Sequence, residues 1–426
     1  MFISFSVENF RSIRDLQTLS LESQESDEHL LWANTAEAGK RRLGKVAAVY
    51  GANGSGKSNL MKAIIWFRAF VLTSSKESQT GDEISVEPFL LSDFNESQPS
   101  HFEIEFFWGE FEYRYGFTAT RTAIESEWLF RKQPGVKPAR LFTREGGKIA
   151  PSPHFFKEGK GLEGRTRDNA LFLSVCGQFA GPEAEKILQW FWQFRNISGL
   201  DDRGYVPFTA ERLNHDSHRS HLVEFAQQAD FNIVDLGVEE LSEEKIPREL
   251  PVELRKKMLS RRVSGAIKTY HHKLNAAGDV VGRVEFDLAE DESQGTQKFI
   301  ALSGPITHTL EQGSILVIDE LEARLHPKLT QAIVDLFHST VNKKNAQLIC
   351  ATHDVTLLDP ARFRRDQVWF CEKGSDGATT LASLAEFDPQ KVRSTTKFSR
   401  QYMLGLFGAV PKLAHFQEAA AYAVKE

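Results

Sequence analysis

The stretch VYGANGSGKSNL, residues 49–60, constrains this chain more than any other. Residues 51–58 read Gly-Ala-Asn-Gly-Ser-Gly-Lys-Ser, the pattern Gly-x-x-x-x-Gly-Lys-Ser. Glycines let consecutive backbone N–H groups curl around an oxyanion, and a helix that follows turns its positive end toward the same point. A lysine at the position of Lys57 reaches the outer phosphates, and a hydroxyl at the position of Ser58 ligates Mg²⁺. Gly51, Asn53, Gly54, Ser55, Gly56, Lys57, Ser58 and Asn59 are therefore candidate phosphate-binding residues. The flanks agree. KVAAVY (45–50) is an apolar run that reads as a buried strand, and NLMKAIIWFRAFVL (59–72) has apolar residues at helical spacing without a breaker.

Three later stretches extend the pattern. SILVIDE (314–320) is an apolar strand that delivers Asp319 to its C-terminal end, where a carboxylate can hold Mg²⁺. Glu320 follows directly, placed to orient or deprotonate an attacking water. LICATHD (348–354) reads as another strand and ends at His353, within reach of a terminal phosphate from the far side. EDESQGTQK (290–298) is a Ser-x-Gly turn opening a helix, which presents the Ser293 hydroxyl and the free N–H groups around Gly295. By itself that turn reads equally as an ordinary helix cap.

The 426 residues suit one large domain or two moderate ones. The hydrophobic fraction of 41% and charged fraction of 26% are those of a globular chain. A net charge of −6 argues against a generally basic nucleic-acid-binding surface but leaves room for a local basic stripe. Three scattered cysteines give no disulfide framework and no metal spacing. No signal peptide and no apolar run of membrane-spanning length is apparent, so a cytoplasmic protein without a membrane partner is expected. MFISFSVEN opens as a strand, and 101–117 alternates as a hairpin turning near Gly109, which points to an antiparallel lobe. Residues 182–270 are richer in charge and helix formers and lack sustained heptads. Beyond 284, strands and helices alternate, which favours a mainly parallel sheet.

The order GANGSGKS, ESQGT, ILVIDE, ATHD resembles the ABC-type ATPases of the SMC/RecF/OLD group, and VENFRSIRD resembles their opening strand. More narrowly, the chain is similar to AAA-type bacterial ATPases of abortive-infection and anti-phage systems of the PARIS, Septu and retron kind. VEPFLL, YRYGF, LFTREGGKI, LFLSV, RRDQVWFCEK and YMLGLFGAVP support this likeness. The resemblance implies an α/β fold of the P-loop NTPase class, an ABC-type nucleotide-binding domain with an antiparallel β lobe and an inserted helical subdomain. Its expected divisions are 1–181, an insert at 182–270, and 271–426. The resemblance further implies ATP and Mg²⁺ as cofactors. Two ATP molecules would be sandwiched in a head-to-tail homodimer or higher homo-oligomer. Lys57, Ser58 and Asp319 would hold MgATP, Ser293 and Gly295 would touch the γ-phosphate of the facing subunit, Glu320 would activate water and His353 would sense the γ-phosphate. LEARLHP (321–327) would cross the dimer interface, and Arg11 would reach nucleotide. A separately encoded effector, a toxin or nuclease, is the implied partner. A repair or chromosome-maintenance ATPase is the alternative, and a nucleotide-gated scaffold with negligible turnover fits the same motifs. Ser-Gln-Gly in place of the transporters' Ser-Gly-Gly-Gln argues against a transporter subunit.

Three further features stand outside this pattern. The residues after His353 contain no Asp-x-Asp, so no Toprim nuclease is expected. His215, His218 and His221 repeat every third residue and could bind metal, and Arg212 with His218 echoes a ribonuclease-like Arg-x₅-His; a polar helix face is the plainer reading. ELRKKMLSRRVSGAIK (253–268) could touch nucleic acid or an acidic partner, or simply be a solvated helix.

Overall fold

The computed structural model describes residues 1–24, 30–200, 203–239, 266–388 and 397–411. The basic stretch 253–268 lies outside them up to residue 265. The chain forms two compact units, one of Phe2–Leu188 with Ala351–Glu426, the other of Gln189–Cys350 with Met1.

In the first unit the opening strand Phe2–Glu8 buries Phe5 and Val7 and leaves Ser4 and Ser6 half-buried, as the alternation predicts. Phe2 is buried as well. The strand sits inside a seven-stranded antiparallel sheet. The order is Lys148–Pro151, Ala139–Glu145, Ile124–Lys132, Phe111–Ala119, Ser100–Trp108, Phe2–Glu8, Gln17–Ser20. The expected hairpin forms two of these strands, and its turn passes through Gly109 at φ +62°. The expected helix runs Lys57–Thr73 and rests on this sheet through aromatic rings. Phe67 stacks on Phe117 at 5.3 Å and meets Phe5 edge-on at 5.5 Å, while Trp66 lies 4.8 Å from Phe102. Burying each such side chain contributes about 1.5–3 kcal/mol. The strand Val46–Tyr50 is buried along its whole length, pairs in parallel with Val368–Lys373, and is followed in order by the antiparallel strand Thr379–Ser383.

In the second unit Phe194–Ser198, Ile315–Asp319 and Gln347–Ala351 pair in parallel in that order. Ile233–Val238, Ile267–Leu274 and Val280–Asp287 form a separate antiparallel sheet. The described part of 182–270 thus holds the helices Pro182–Trp192, Val206–Leu213 and Asp216–Gln227, and also strands. The helix opened by Ser-Gln-Gly is long, Gln294–Gln312, and carries Pro305 in its interior. Proline has no N–H, so the Ala301 carbonyl loses its intrahelical donor. The buried Thr209 hydroxyl replaces it, donating to Ala301 O at 2.8 Å. The same contact explains Gly304, where a Cβ would lie 2.9 Å from the Thr209 Cα. A proline, a glycine and a threonine thereby fix helix Val206–Leu213 against helix Gln294–Gln312.

Thr209→Val keeps the shape and deletes the hydroxyl. It is expected to cost about 1–2 kcal/mol, read as a lower urea midpoint at unchanged slope, with Thr209→Ser retaining most of the stability. A Thr209→Val chain as stable as the parent would show that the Ala301 carbonyl does not depend on this donor.

Candidate functional site

The phosphate loop leaves Tyr50 and enters the helix at Lys57. Gly54 and Gly56 take φ +76° and +108°, backbone that side chains rarely adopt. Gly51 is needed for space, because a Cβ there would collide with the Cys371 carbonyl and Ser55 Oγ. Gly56 is needed for both reasons, since a Cβ would sit 2.7 Å from Thr379 Cγ2. No acidic residue occupies the first helical turn, so the positive helix end is left for an anion. Asn53 and Gly54 are exposed at the tip, Ser58 and Asn59 are half-buried, and the Ser55 hydroxyl is buried without a hydrogen-bond partner among the described residues. Lys57 is buried and folds back, its Nζ donating to Gly51 O at 2.7 Å and Ala52 O at 3.1 Å. These carbonyls are what an incoming phosphate would replace.

An ordered hydrogen-bond chain holds the loop from below. Asn59 Nδ2 donates to Ser12 Oγ at 2.7 Å, Ser12 and Thr379 hydroxyls lie 2.8 Å apart, and Thr379 Oγ1 donates to Ser55 O at 2.9 Å. The amide donor at one end and the carbonyl acceptor at the other fix every proton in between. The Thr379 N–H also donates to Ser12 O at 2.7 Å. Ser12 and Thr379 escaped the sequence reading, since a lone serine and a lone threonine carry no spacing signal.

His353 is brought beside this loop. Thr352 N donates to Val49 O at 3.0 Å and the Tyr50 hydroxyl to Asp354 O at 3.2 Å, so the two residues entering the loop hold both neighbours of the exposed His353. On another side stands the segment 398–411. Tyr402 stacks on Phe370 at 5.4 Å, meets Tyr50 at 5.8 Å, and donates from its hydroxyl to Ala409 O at 3.0 Å. Burial pushes the Tyr402 phenol up, against the pull of a hydrogen bond with the Gly51 backbone. An open cleft of about 590 Å³ follows, lined by 52–55, 372–374 and 409–411. Arg11, by contrast, pairs with Glu87 at 2.5 Å, and its backbone N–H donates to Glu87 O at 2.8 Å.

The acidic residues belong to the other unit, described by itself. Asp319 ends its strand in register with Ser198, and its buried Oδ1 has no hydrogen-bond partner among the described residues. An orphaned carboxylate oxygen at a strand end fits a hard divalent cation. Glu320 takes φ +53°, an uncommon conformation for a side chain of its size. Two neighbours hold it there. Gly199 N donates to Asp319 O at 2.7 Å, and a Cβ on Gly199 would run into the Glu320 carbonyl. Lys298, fully buried, donates to the carbonyls of Glu320 at 3.3 Å, Leu321 at 3.1 Å and Ala323 at 2.5 Å. Lys298 lies in the helix that Ser293 opens. Ser293 caps it, accepting from Thr296 N at 3.1 Å, and Gly295 is fixed by the Arg324 carbonyl, 2.8 Å from where its Cβ would be. Arg324, at φ +62°, donates to Leu200 O. Lys298 and Gly199 were not found from sequence, since a lysine in a helix reads as surface and a glycine after a strand as a turn.

Of the repeated histidines, His218 meets Arg212, while His215 and His221 stay exposed. The described residues hold no group of three side chains suited to a metal ion, and none of their helices is long and apolar enough to cross a membrane.

A family model described as AAA domain, putative AbiEii toxin, Type IV TA system matches residues 46–359. No curated protein matches. Among solved structures, the chain is similar to the SMC head domain from Thermotoga maritima, with 14% identity, TM-score 0.41, 90% of this chain and 98% of that one covered. It is also similar to an SMC head bound to the C-winged helix domain of ScpA, with 14% identity, TM-score 0.40 and coverages of 92% and 99%. The recombination mediator RecF with a nucleotide bound gives 14% identity, TM-score 0.30 and coverages of 89% and 98%. At such scores these three say nothing of what this chain does.

The two strained glycines separate backbone conformation from space. Gly54 has nothing within 4 Å of its Cβ position, so Gly54→Ala is expected to cost about 1 kcal/mol from φ alone. Gly56→Ala adds the collision with Thr379 and is expected to cost about 2 kcal/mol more in thermal denaturation. Equal losses would show that the Thr379 contact does not determine Gly56.

Proposed function

The chain belongs to the AAA-domain family described as putative AbiEii toxin, and from that premise we propose that it binds and hydrolyses ATP to switch a separately encoded partner in anti-phage defence. The observation that carries the reading is the phosphate loop itself. Its glycines are required by conformation and space, its lysine is parked on loop carbonyls, and a ladder of hydroxyls holds it rigid. The family's description, which names a toxin of a Type IV system, supports the defence setting.

On this reading Lys57 leaves the Gly51 and Ala52 carbonyls for phosphate oxygens, and the N–H groups of the first helical turn donate to the same phosphates. The Ser58 hydroxyl and the unpaired Asp319 oxygen would hold Mg²⁺, which when bound neutralises phosphate charge. Glu320 would accept a proton from the attacking water as the bond to the γ-phosphoryl group breaks, yielding ADP and phosphate. His353 would donate to that phosphoryl group from beside the loop. Ser293 and Gly295 would meet the phosphate of a second copy in a head-to-tail assembly, and Arg11 would reach nucleotide on release of Glu87. The sequence divisions 1–181, 182–270 and 271–426 would then be two halves of one ATPase domain and an insert. Lys298 links the assembly to the chemistry, because one side chain spans the helix opened by Ser293 and the carbonyl of Glu320.

Mass and ATP turnover measured together test this. The parent chain is expected to turn over ATP, and Glu320→Gln to lose turnover while ATP holds it as a dimer or larger assembly. Turnover that survives Glu320→Gln, with mass indifferent to ATP, would sink the mechanism. Lys298→Met is expected to lower turnover by about 10-fold or more while nucleotide binding at the loop persists. Equal loss of binding and turnover would make Lys298 merely structural. The defence reading requires a stable complex with a toxic or nuclease partner encoded beside this chain, and an isolated chain with no such partner would favour DNA maintenance.

A further inference from the structure

Away from all these residues, four elements of the second unit converge on a cluster of charged and imidazole groups. Arg212 ends the helix Val206–Leu213, and its Nη2 contacts Glu311 Oε1 and Oε2, both at 2.7 Å, and His218 Nδ1 at 3.1 Å. Its Nη1 lies 3.2 Å from His308 Nδ1. From the strand Phe194–Ser198, Arg195 places Nη2 at 3.4 Å from the other ring nitrogen, His308 Nε2, and lies over the Phe208 ring at 5.2 Å. The Thr209 contact with Ala301 and Gly304 sets this arrangement one turn away, since Arg212, His308 and Glu311 follow those residues on their helices.

These contacts cannot all be hydrogen bonds. A guanidinium only donates, and a neutral imidazole has one N–H and one accepting nitrogen. Whichever tautomer His308 adopts, one arginine N–H faces a ring N–H, and a protonated ring would make both contacts donor against donor. The Nε atoms of Arg195 and Arg212 are also buried without a partner among the described residues. The Arg212 side chain is only 8% exposed, so these donors are not left to bulk water. Two guanidinium groups face one carboxylate, Glu311, which leaves an unbalanced positive charge in a partly buried place. An acceptor that carries negative charge is what the cluster lacks.

We propose that Arg195 and His308 form an oxyanion site that takes a phosphate group, either free phosphate or a phosphodiester of nucleic acid. The shorter contact assigns His308 Nδ1 as acceptor from Arg212, which leaves Nε2–H as a donor beside Arg195 Nη2, 3.4 Å away. An imidazole N–H beside a guanidinium fork lets an oxyanion accept from both, and the fork favours phosphate geometry. Burial, with Arg195 and Arg212 alongside, pulls His308 down to about 4, so at neutral pH the ring is uncharged with one N–H to give. The site is independent of the phosphate loop, and either reading can fail without the other.

The test uses the full chain as Lys57→Ala, which removes phosphate binding at the loop, and follows His308 by ring NMR while inorganic phosphate is added at constant ionic strength. Phosphate is expected to raise the His308 pKa by about one unit or more, because an anion favours the charged ring. Arg195→Gln should abolish that shift, and Arg195→Lys, which keeps charge but not the fork, should weaken it. In the Lys57 parent, Arg195→Gln should leave ATP turnover unchanged. A single-stranded RNA oligonucleotide that reproduces the shift and competes with phosphate identifies nucleic acid as the source; one that leaves His308 unmoved assigns the site to free phosphate. His308 titrating alike with and without phosphate, or shifting equally in Arg195→Gln, overturns the proposal.

Discussion

The hydroxyl of Thr379 on the carbonyl of Ser55 is the contact on which the phosphate loop depends. A loop of glycines is cheap to bend and costly to fix, because each glycine gives up more conformational freedom than any other residue on ordering. The chain from Asn59 through Ser12 to Thr379 offsets that cost with three bonds, two of them buried, whose donors and acceptors run in one direction. Thr379 adds shape to the bond, as it fills the space a Cβ on Gly56 would need. The loop's rigidity is therefore supplied by a residue 324 positions away in sequence.

The acidic strand end uses the same device with a charge in place of a hydroxyl. Glu320 occupies a left-handed conformation, which persists only where its surroundings over-determine it. Lys298 and Gly199 do so, one by drawing the turn carbonyls of Glu320, Leu321 and Ala323 to a buried ammonium and the other by leaving room for the backbone. A buried ammonium without acceptors would cost several kcal/mol, so the turn and the lysine stabilise each other. The helix that supplies Lys298 tolerates a proline because Thr209 serves the carbonyl the proline abandons, and that repair also builds the arginine and histidine cluster. Mechanical and chemical parts of this unit share one helix.

Much of the fold could be read directly. Val46–Tyr50 and Ile315–Asp319 are continuous apolar runs ending in glycine or acid, and Lys57–Thr73 keeps helical spacing throughout. The antiparallel lobe was legible as its opening strand and its hairpin. Gln17–Ser20 is too short to show a period, and in the separate three-stranded sheet Val280–Asp287 is largely exposed, so burial gives its pattern little to mark. Phe194–Ser198 reads as the end of a helical stretch because only Phe194 and Ile197 are buried, yet it pairs beside the acidic strand. Pairing supplied by a neighbour, not by its own pattern, makes it a strand.

Sequence by itself determined the chemistry on offer at the loop, since glycine, lysine and serine at that spacing before a helix can form little except an anion cradle. It also determined that two acids stand at the end of a buried strand. Tertiary structure alone decided what holds those groups in place: Thr379 and Ser12 under the loop, Lys298 and Gly199 around Glu320, and Glu87 on Arg11. The reason is that a reactive residue announces itself by type and local spacing. A supporting residue is an ordinary serine, threonine, lysine or glycine whose meaning comes from the distant backbone it meets, and that meeting exists only after the chain has folded.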